Sequence, residues 1–214
     1  MTAALPMSLA RRPHAVLRPR DAADHYAHPA QEFARLAAAG VLHRLAYGYY
    51  ARVPAEHLGV PGWRPDLHAA ALGIAQADAG VDGAALVHVS AARLHGALPR
   101  EIALAVVAVG KQRPDLSVLG GTVHFMTRRV ADLDLQRTAT ELGPGWVSTR
   151  EQTVLDLAAH RSLGGLAERT VADALAALTA GLDWALLAEL GRRQRRATTV
   201  AALRRELGRS VASS

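Results

Sequence analysis

Between Leu36 and Pro54 the chain reads LAAAGVLHRLAYGYYARVP, a stretch in which Arg44, Tyr47, Tyr49 and Arg52 bracket one glycine, Gly48. Arginine can bridge phosphates or take the two acceptors of guanine, and a tyrosine hydroxyl donates to phosphate oxygens. Gln31 and Arg35, just upstream, add an amide that can pair with adenine and another guanidinium. Such a set suits a polyanion. A different chemistry is spelled out later in the chain. Gly120-Gly121, a gap of ten residues and then Asp132-Leu133-Asp134 fit the text pattern of nucleotide transfer, with paired carboxylates to hold magnesium against a triphosphate.

These residues need elements to position them. Arg18 to Tyr26 carries Pro19 and then Asp21 and Asp24, the pattern of a short helix with fixed φ and negative charge in its first turn. His28 to Ala39 has Pro29 at its start, Phe33, Leu36 and Ala37 on one face, and Gly40 where a left-handed cap belongs, so it reads as a second helix. Gln31 and Arg35 then fall on its outer face. After Gly40 the apolar period drops to 2: Val41, His43 and Leu45 alternate with Leu42, Arg44 and Ala46, and Tyr47-Gly48 reverses the chain into Tyr49 to Val53. Two helices in a tight turn followed by a hairpin make a winged helix-turn-helix, assigned to residues 1–56, with Arg18, Arg20, Gln31, Arg35, Arg44, Tyr47, Tyr49 and Arg52 as candidate DNA contacts. Strand alternation sends Tyr49 and Tyr50 to opposite sides. Tyr50 is the expected anchor on Phe33 and Leu36, with Tyr49 left beside Arg44 and Arg52 at the outer surface. The bland alternative is a hairpin whose arginines face only water, in an inert or protein-binding unit.

The charge is distributed to match. Residues 1–54 hold seven arginines against three acids, residues 192–214 seven against one, and the stretch between them eleven basic against fifteen acidic groups, for +6 overall. Basic ends around an acidic middle suggest a polyanion contact at the ends. The cluster Arg192, Arg193, Arg195 and Arg196 is a possible second basic surface, for phosphate or for an acidic partner, or a solvated helix face. No cysteine is present, which excludes disulfides and thiolate zinc sites. The ten histidines show no metal-ligand spacing, and no metal or cofactor is expected. The longest apolar run, Ile102 to Val109, is too short to span a bilayer, and Pro13-His14 after Arg11-Arg12 argues against an export signal, so no membrane partner and a cytoplasmic location are expected.

Several enzyme classes lose support. Lys111 is the sole lysine and Val109 stands two residues before it, so the glutamate-x-lysine pair of many nucleases cannot occur, and a Gly-x-Ser-x-Gly elbow is absent. The nucleotide-transfer reading needs a helix to open at the glycine pair, yet Thr122 to Thr127 is β-branched and aromatic like a strand. Asp132 and Asp134 therefore read first as a solvated acidic turn, and no catalytic residue is assigned.

The run from Leu36 to Pro54 resembles the wing of AbiEi-type antitoxins of type IV toxin-antitoxin systems. In the same order follow VSAARLHGAL (Val89 to Leu98), the strand-like IALAVVAVG and GTVHFMTR, and GWVSTREQTVLDLAAH (Gly145 to His160). The resemblance implies that the amino-terminal unit binds the operon's promoter as double-stranded DNA and represses it. It also implies that a carboxy-terminal antitoxin domain, residues 63–214, counteracts a cognate nucleotidyltransferase toxin, with direct contact left open. A stand-alone winged-helix regulator with a partner- or ligand-sensing domain is the competing reading.

The remainder fits a helix-rich α+β architecture. Glu56 to Pro65 reads as a linker, Asp66 to Ala79 as a helix, and Ser90 as the cap of a short helix ending at Gly96. Ile102 to Val109 and Gly121 to Met126 read as strands, Thr149 as a helix cap, and three amphipathic segments run to Leu207.

Overall fold

The computed structural model describes residues 4–98 and 102–212, with side chains through residue 208. Arg209, counted above in the basic end, thus lies outside the described side chains. Among the described residues the chain is a mixed α+β protein with eight helices and two sheets. No helix among them is long and apolar enough to cross a membrane.

The amino-terminal part contains α1 (Met7–Ala10), β1 (Val16–Leu17), α2 (Pro29–Ala38), β2 (Leu42–Ala46) and β3 (Tyr49–Arg52). Its three strands form an antiparallel sheet in the order β1-β3-β2. Pro29 fixes the first turn of α2, and Gly40, at φ +72°, lets the chain leave it. The expected helix from Arg18 to Tyr26 is only a 3-10 turn, Pro19–Ala22. Its first turn is capped by Asp21, whose carboxylate accepts from both the backbone N–H and the guanidinium of Arg18. In the hairpin alternation puts Leu42 and Leu45 on opposite buried faces, and a bulge between Arg44 and Ala46 shifts the register so that Ala46 shares the side of Leu45. Leu17, Leu42 and Tyr50 pack with Phe33 and Leu36 of α2. Val16, Leu45 and Ala51 join the core around α3 (Leu67–Ala79). The small sheet is covered on both faces.

The second sheet has the order β6-β7-β5-β4-β9-β8. Its strands are β4 (Ala84–Leu86), β5 (Leu104–Val109), β6 (Leu116–Val118), β7 (Gly121–Thr127), β8 (Leu135–Thr140) and β9 (Gly143–Ser148). β5 pairs in parallel with β7, and β4 with β9; the other pairs are antiparallel. Every residue of β5 is buried, and alternation divides them. Ala105, Val107 and Val109 face α3, while Leu104, Val106 and Ala108 face a core shared by the remaining helices. Those are α4 (His88–Leu94), α5 (Arg150–Ala159), α6 (Glu168–Thr179), α7 (Trp184–Arg193) and α8 (Ala197–Ala212). Ser90 is not a cap. It lies inside α4, fully buried, where its Oγ accepts from Val106 N–H at 2.7 Å and contacts His68 Nδ1 at 2.9 Å, so it pins α4 to β5 and α3.

Gly73 of α3 lies against β1 of the small sheet. A Cβ there would fall well inside contact distance of Val16 Cγ2. Valine has little rotamer freedom to yield, and Val16 is fully buried. Gly73→Ala is therefore expected to lower stability by about 1–3 kcal/mol despite alanine's better helix propensity. Thermal melting of G73A beside G73A/V16A checks this: the second change opens space and should restore part of the loss, and an unaltered melting temperature in G73A would refute the contact.

Candidate nucleic-acid interface

The exposed side of α2 and the hairpin carries part of the expected set. Gln31 and Arg35 are exposed on α2, opposite buried Phe33 and Leu36. Arg35 pairs with Glu32 at 2.5 Å one turn away, yet its side chain stays 54% exposed. Such an exposed pair is weak and screened by salt, so a phosphate can compete for the guanidinium. Arg44 is exposed on β2, and Tyr47 at the tip is 88% exposed because Gly48, at φ +80°, closes the turn beside it. Tyr50 is the anchor, its ring edge-on to Phe33 at 5.3 Å.

Four more of the expected contacts are engaged within the chain. Tyr49 is not beside Arg44 on an outer surface; its hydroxyl donates to Asp78 at 2.7 Å, because the face opposite Tyr50 lies against α3 instead of water. Arg52 is half-buried and donates to the carbonyls of Arg12 at 3.0 Å and His14 at 3.4 Å, and burial pushes its pKa down. It fastens the amino-terminal arm to the sheet. Arg18 is held by Asp21 and Asp78, at 2.7 and 2.6 Å. Arg20 also reaches Asp78 but remains 69% exposed. Arg18, Arg20, Arg44, Tyr47 and Tyr49 thus line one depression of about 450 Å³ under the hairpin tip.

Asp78 was not singled out in the sequence, though a signal for it existed. It sits in the last turn of α3, next to Ala79 and Gly80, where the helix dipole disfavours an acid. Burial alone would raise its pKa. The hydrogen bonds from Tyr49 and Arg18, with the charges of Arg113 and Arg18, outweigh that and hold the carboxyl below its ordinary value.

At the carboxy-terminal end, Arg192, Arg193 and Arg195 are exposed, but Arg196 turns inward. Its Nη2 meets His160 Nε2 at 2.9 Å, and burial lowers its pKa. Arg193 lines a polar depression of about 790 Å³ with Arg128, Arg129, Asp132, Asp134 and Gln194.

The glycine pair before the two aspartates opens no helix. Leu119 and Gly120, at φ +52° and +84°, make the β6–β7 turn, and Gly121 begins β7. Asp134 accepts from Thr149 Oγ1 at 2.6 Å, and Asp132 is largely exposed, 3.7 Å from Arg129. Among the described residues no three histidine or carboxylate side chains converge as metal ligands. No protein-family model matches the chain, and comparison with curated proteins finds no match.

Proposed function

We propose that the chain is a promoter-binding antitoxin: its amino-terminal part acts as a winged helix that represses its own operon, and its larger part counteracts a cognate nucleotidyltransferase toxin. The observation that carries the DNA reading is the sorting of side chains on α2 and the hairpin. Phe33, Leu36 and Tyr50 are buried while Gln31, Arg35, Arg44 and Tyr47 are exposed. An exposed glutamine and two arginines on a helix and an adjoining hairpin supply base-edge and phosphate donors in a geometry that suits a major groove and its flanking backbone. The excess of arginine near the amino terminus favours approach to DNA. The antitoxin part rests on the ordered resemblance from Leu36 to His160. The polar depression around Arg128 and Arg193 favours a second reading, a stand-alone regulator whose larger part senses a ligand or partner.

Fluorescence anisotropy with a labelled duplex from upstream of the reading frame tests the first step. Arg35→Ala/Arg44→Ala is expected to lower affinity by more than about tenfold, since each such contact is worth roughly 1–3 kcal/mol, with unchanged thermal melting because both side chains are exposed. Unchanged affinity would remove α2 and the hairpin from the interface. Growth rescue on co-expression with the toxin should survive in that variant. A nucleotidyltransferase-like neighbouring reading frame supports the antitoxin reading, and its absence the regulator.

A further inference from the structure

One carboxylate at the end of α3 collects donors from three separate parts of the chain. Asp78 Oδ1 accepts from Arg18 Nη1 at 2.6 Å and Arg20 Nη2 at 3.1 Å, while Oδ2 accepts from Tyr49 Oη at 2.7 Å and from Arg113 Nη1. Arg113, between β5 and β6, also donates to Tyr49 Oη at 3.2 Å and lies 3.8 Å over the ring of Phe125. Three guanidiniums meet Asp78, and Arg18 alone of them is shared with Asp21, so the cluster keeps a positive balance. Convergent arginines with a tyrosine hydroxyl are the donor set for a phosphate oxyanion. Asp78 itself is 23% exposed, and it bonds Arg18, Arg20 and Tyr49, three of the residues that line the depression with Arg44 and Tyr47.

We infer that Asp78 stands, from within the chain, where a DNA backbone phosphate would otherwise bind, and so restrains the DNA affinity of the α2–hairpin face; the inference rests on the DNA reading proposed above. In the free protein the carboxylate holds Arg18, Arg20 and Tyr49 toward α3. Once the charge of Asp78 is removed, Arg20 is the guanidinium freed first, because it is the most exposed of the group. Arg35 is held only by its exposed neighbour Glu32, and Gln31, Arg44 and Tyr47 lie outside the Asp78 cluster. DNA binding in the intact chain therefore uses fewer phosphate contacts than the arginine count suggests.

Asp78→Asn keeps the side chain's shape and removes its charge. Its affinity for the labelled upstream duplex is expected to rise about three- to tenfold, and the slope of log affinity against log salt to steepen by about one, as a freed arginine reaches a phosphate. Asp24→Asn, an exposed acid in the same part of the chain, makes the equal charge change without freeing an arginine and should leave the slope as it is. Inorganic pyrophosphate, followed by thermal shift, should stabilise D78N more than the wild type. If pyrophosphate behaves so while neither protein binds DNA, the DNA reading fails and the anion seat stands. If D78N gains neither salt slope nor pyrophosphate stabilisation, the inference is overturned even where the wild type binds DNA. Should D78N fail to fold, Arg20→Gln decides, since this exposed side chain tolerates replacement. A salt slope changed by less than about half a unit is expected, and loss of a full unit overturns the restraint, because Arg20 would then already meet phosphate in the wild type.

Discussion

Arg128→Met is expected to destabilise the fold by about 3–5 kcal/mol at neutral pH, the scale for stripping the partner from a buried charge. Arg128 donates from Nη1 to Asp156 Oδ1 at 3.1 Å and from Nη2 to Gln194 Oε1 at 2.8 Å. Asp156 lies on α5 with no exposed surface, and Gln152 Nε2 is its other donor, at 3.1 Å. Burial raises its pKa even with the charges of Arg128 and Arg196 opposing. Without Arg128 the carboxylate must stay charged with the Gln152 amide as its near donor, or take a proton at a cost that grows with pH. The deficit should accordingly shrink as pH falls into the carboxylate range, because the folded protein is then the state that binds the proton more readily. R128M/D156N removes both charges and should recover most of the loss. Urea denaturation at two pH values reads all three proteins. A double variant no better than R128M would mean that guanidinium packing, and not the charge pair, is what matters there.

That network also marks where sequence reading reached and where it stopped. Thr149 is legible as the α5 cap, accepting from Gln152 N–H at 3.3 Å, and the apolar positions of α5 follow from period. Nothing local shows that Asp156 and Gln152 point inward, because their partners Arg128 and Gln194 come from β7's end and α7's end. The same limit divides the candidate interface. Pro29, Gly40 and Gly48 punctuate α2 and the hairpin, so the exposed places of Gln31, Arg35, Arg44 and Tyr47 follow from local geometry. Tyr49 and Arg18 are settled by Asp78, which lies 29 and 60 residues away and belongs to another part of the fold. Among the strands, β5 and β7 announce themselves as β-branched or aromatic runs. β4 is Ala84-Ala85-Leu86, whose residues carry little strand preference and form a strand because β5 and β9 flank them.

Acid should weaken the protein before its carboxylates titrate, and His88 is the principal reason. It joins β4 to α4 at φ +54°, a left-handed conformation unfavourable for a β-carbon, and its side chain has no exposed surface. Nε2 lies 3.0 Å from the His160 carbonyl, which can only accept, so Nε2 carries the proton of the neutral ring. Nδ1 is then a bare lone pair, buried and with no partner among the described residues. A second proton would place a charge there. Burial, with lesser repulsion from His160 and His124, drives the folded-state pKa down to about 4, against the ordinary 6.5. As pH drops below the ordinary value, the unfolded chain takes the proton and the folded one does not. The stabilisation is thus whole above pH ~6.5, declines below it, and is gone by pH ~4, a change on the order of 3 kcal/mol. His14, His43 and His160 are also held below the ordinary value by burial and act in the same direction. Asp21 and Asp78, whose carboxyls are held down by their arginines, release their share only at lower pH. His88→Asn accepts the positive φ and removes the titrating ring; its shorter amide gives up the bond to the His160 carbonyl, so the comparison is made on the pH slope and not on absolute stability. Urea midpoints between pH 7 and 4.5 should fall clearly less steeply for H88N than for the wild type, and parallel slopes would assign the acid sensitivity to the other histidines.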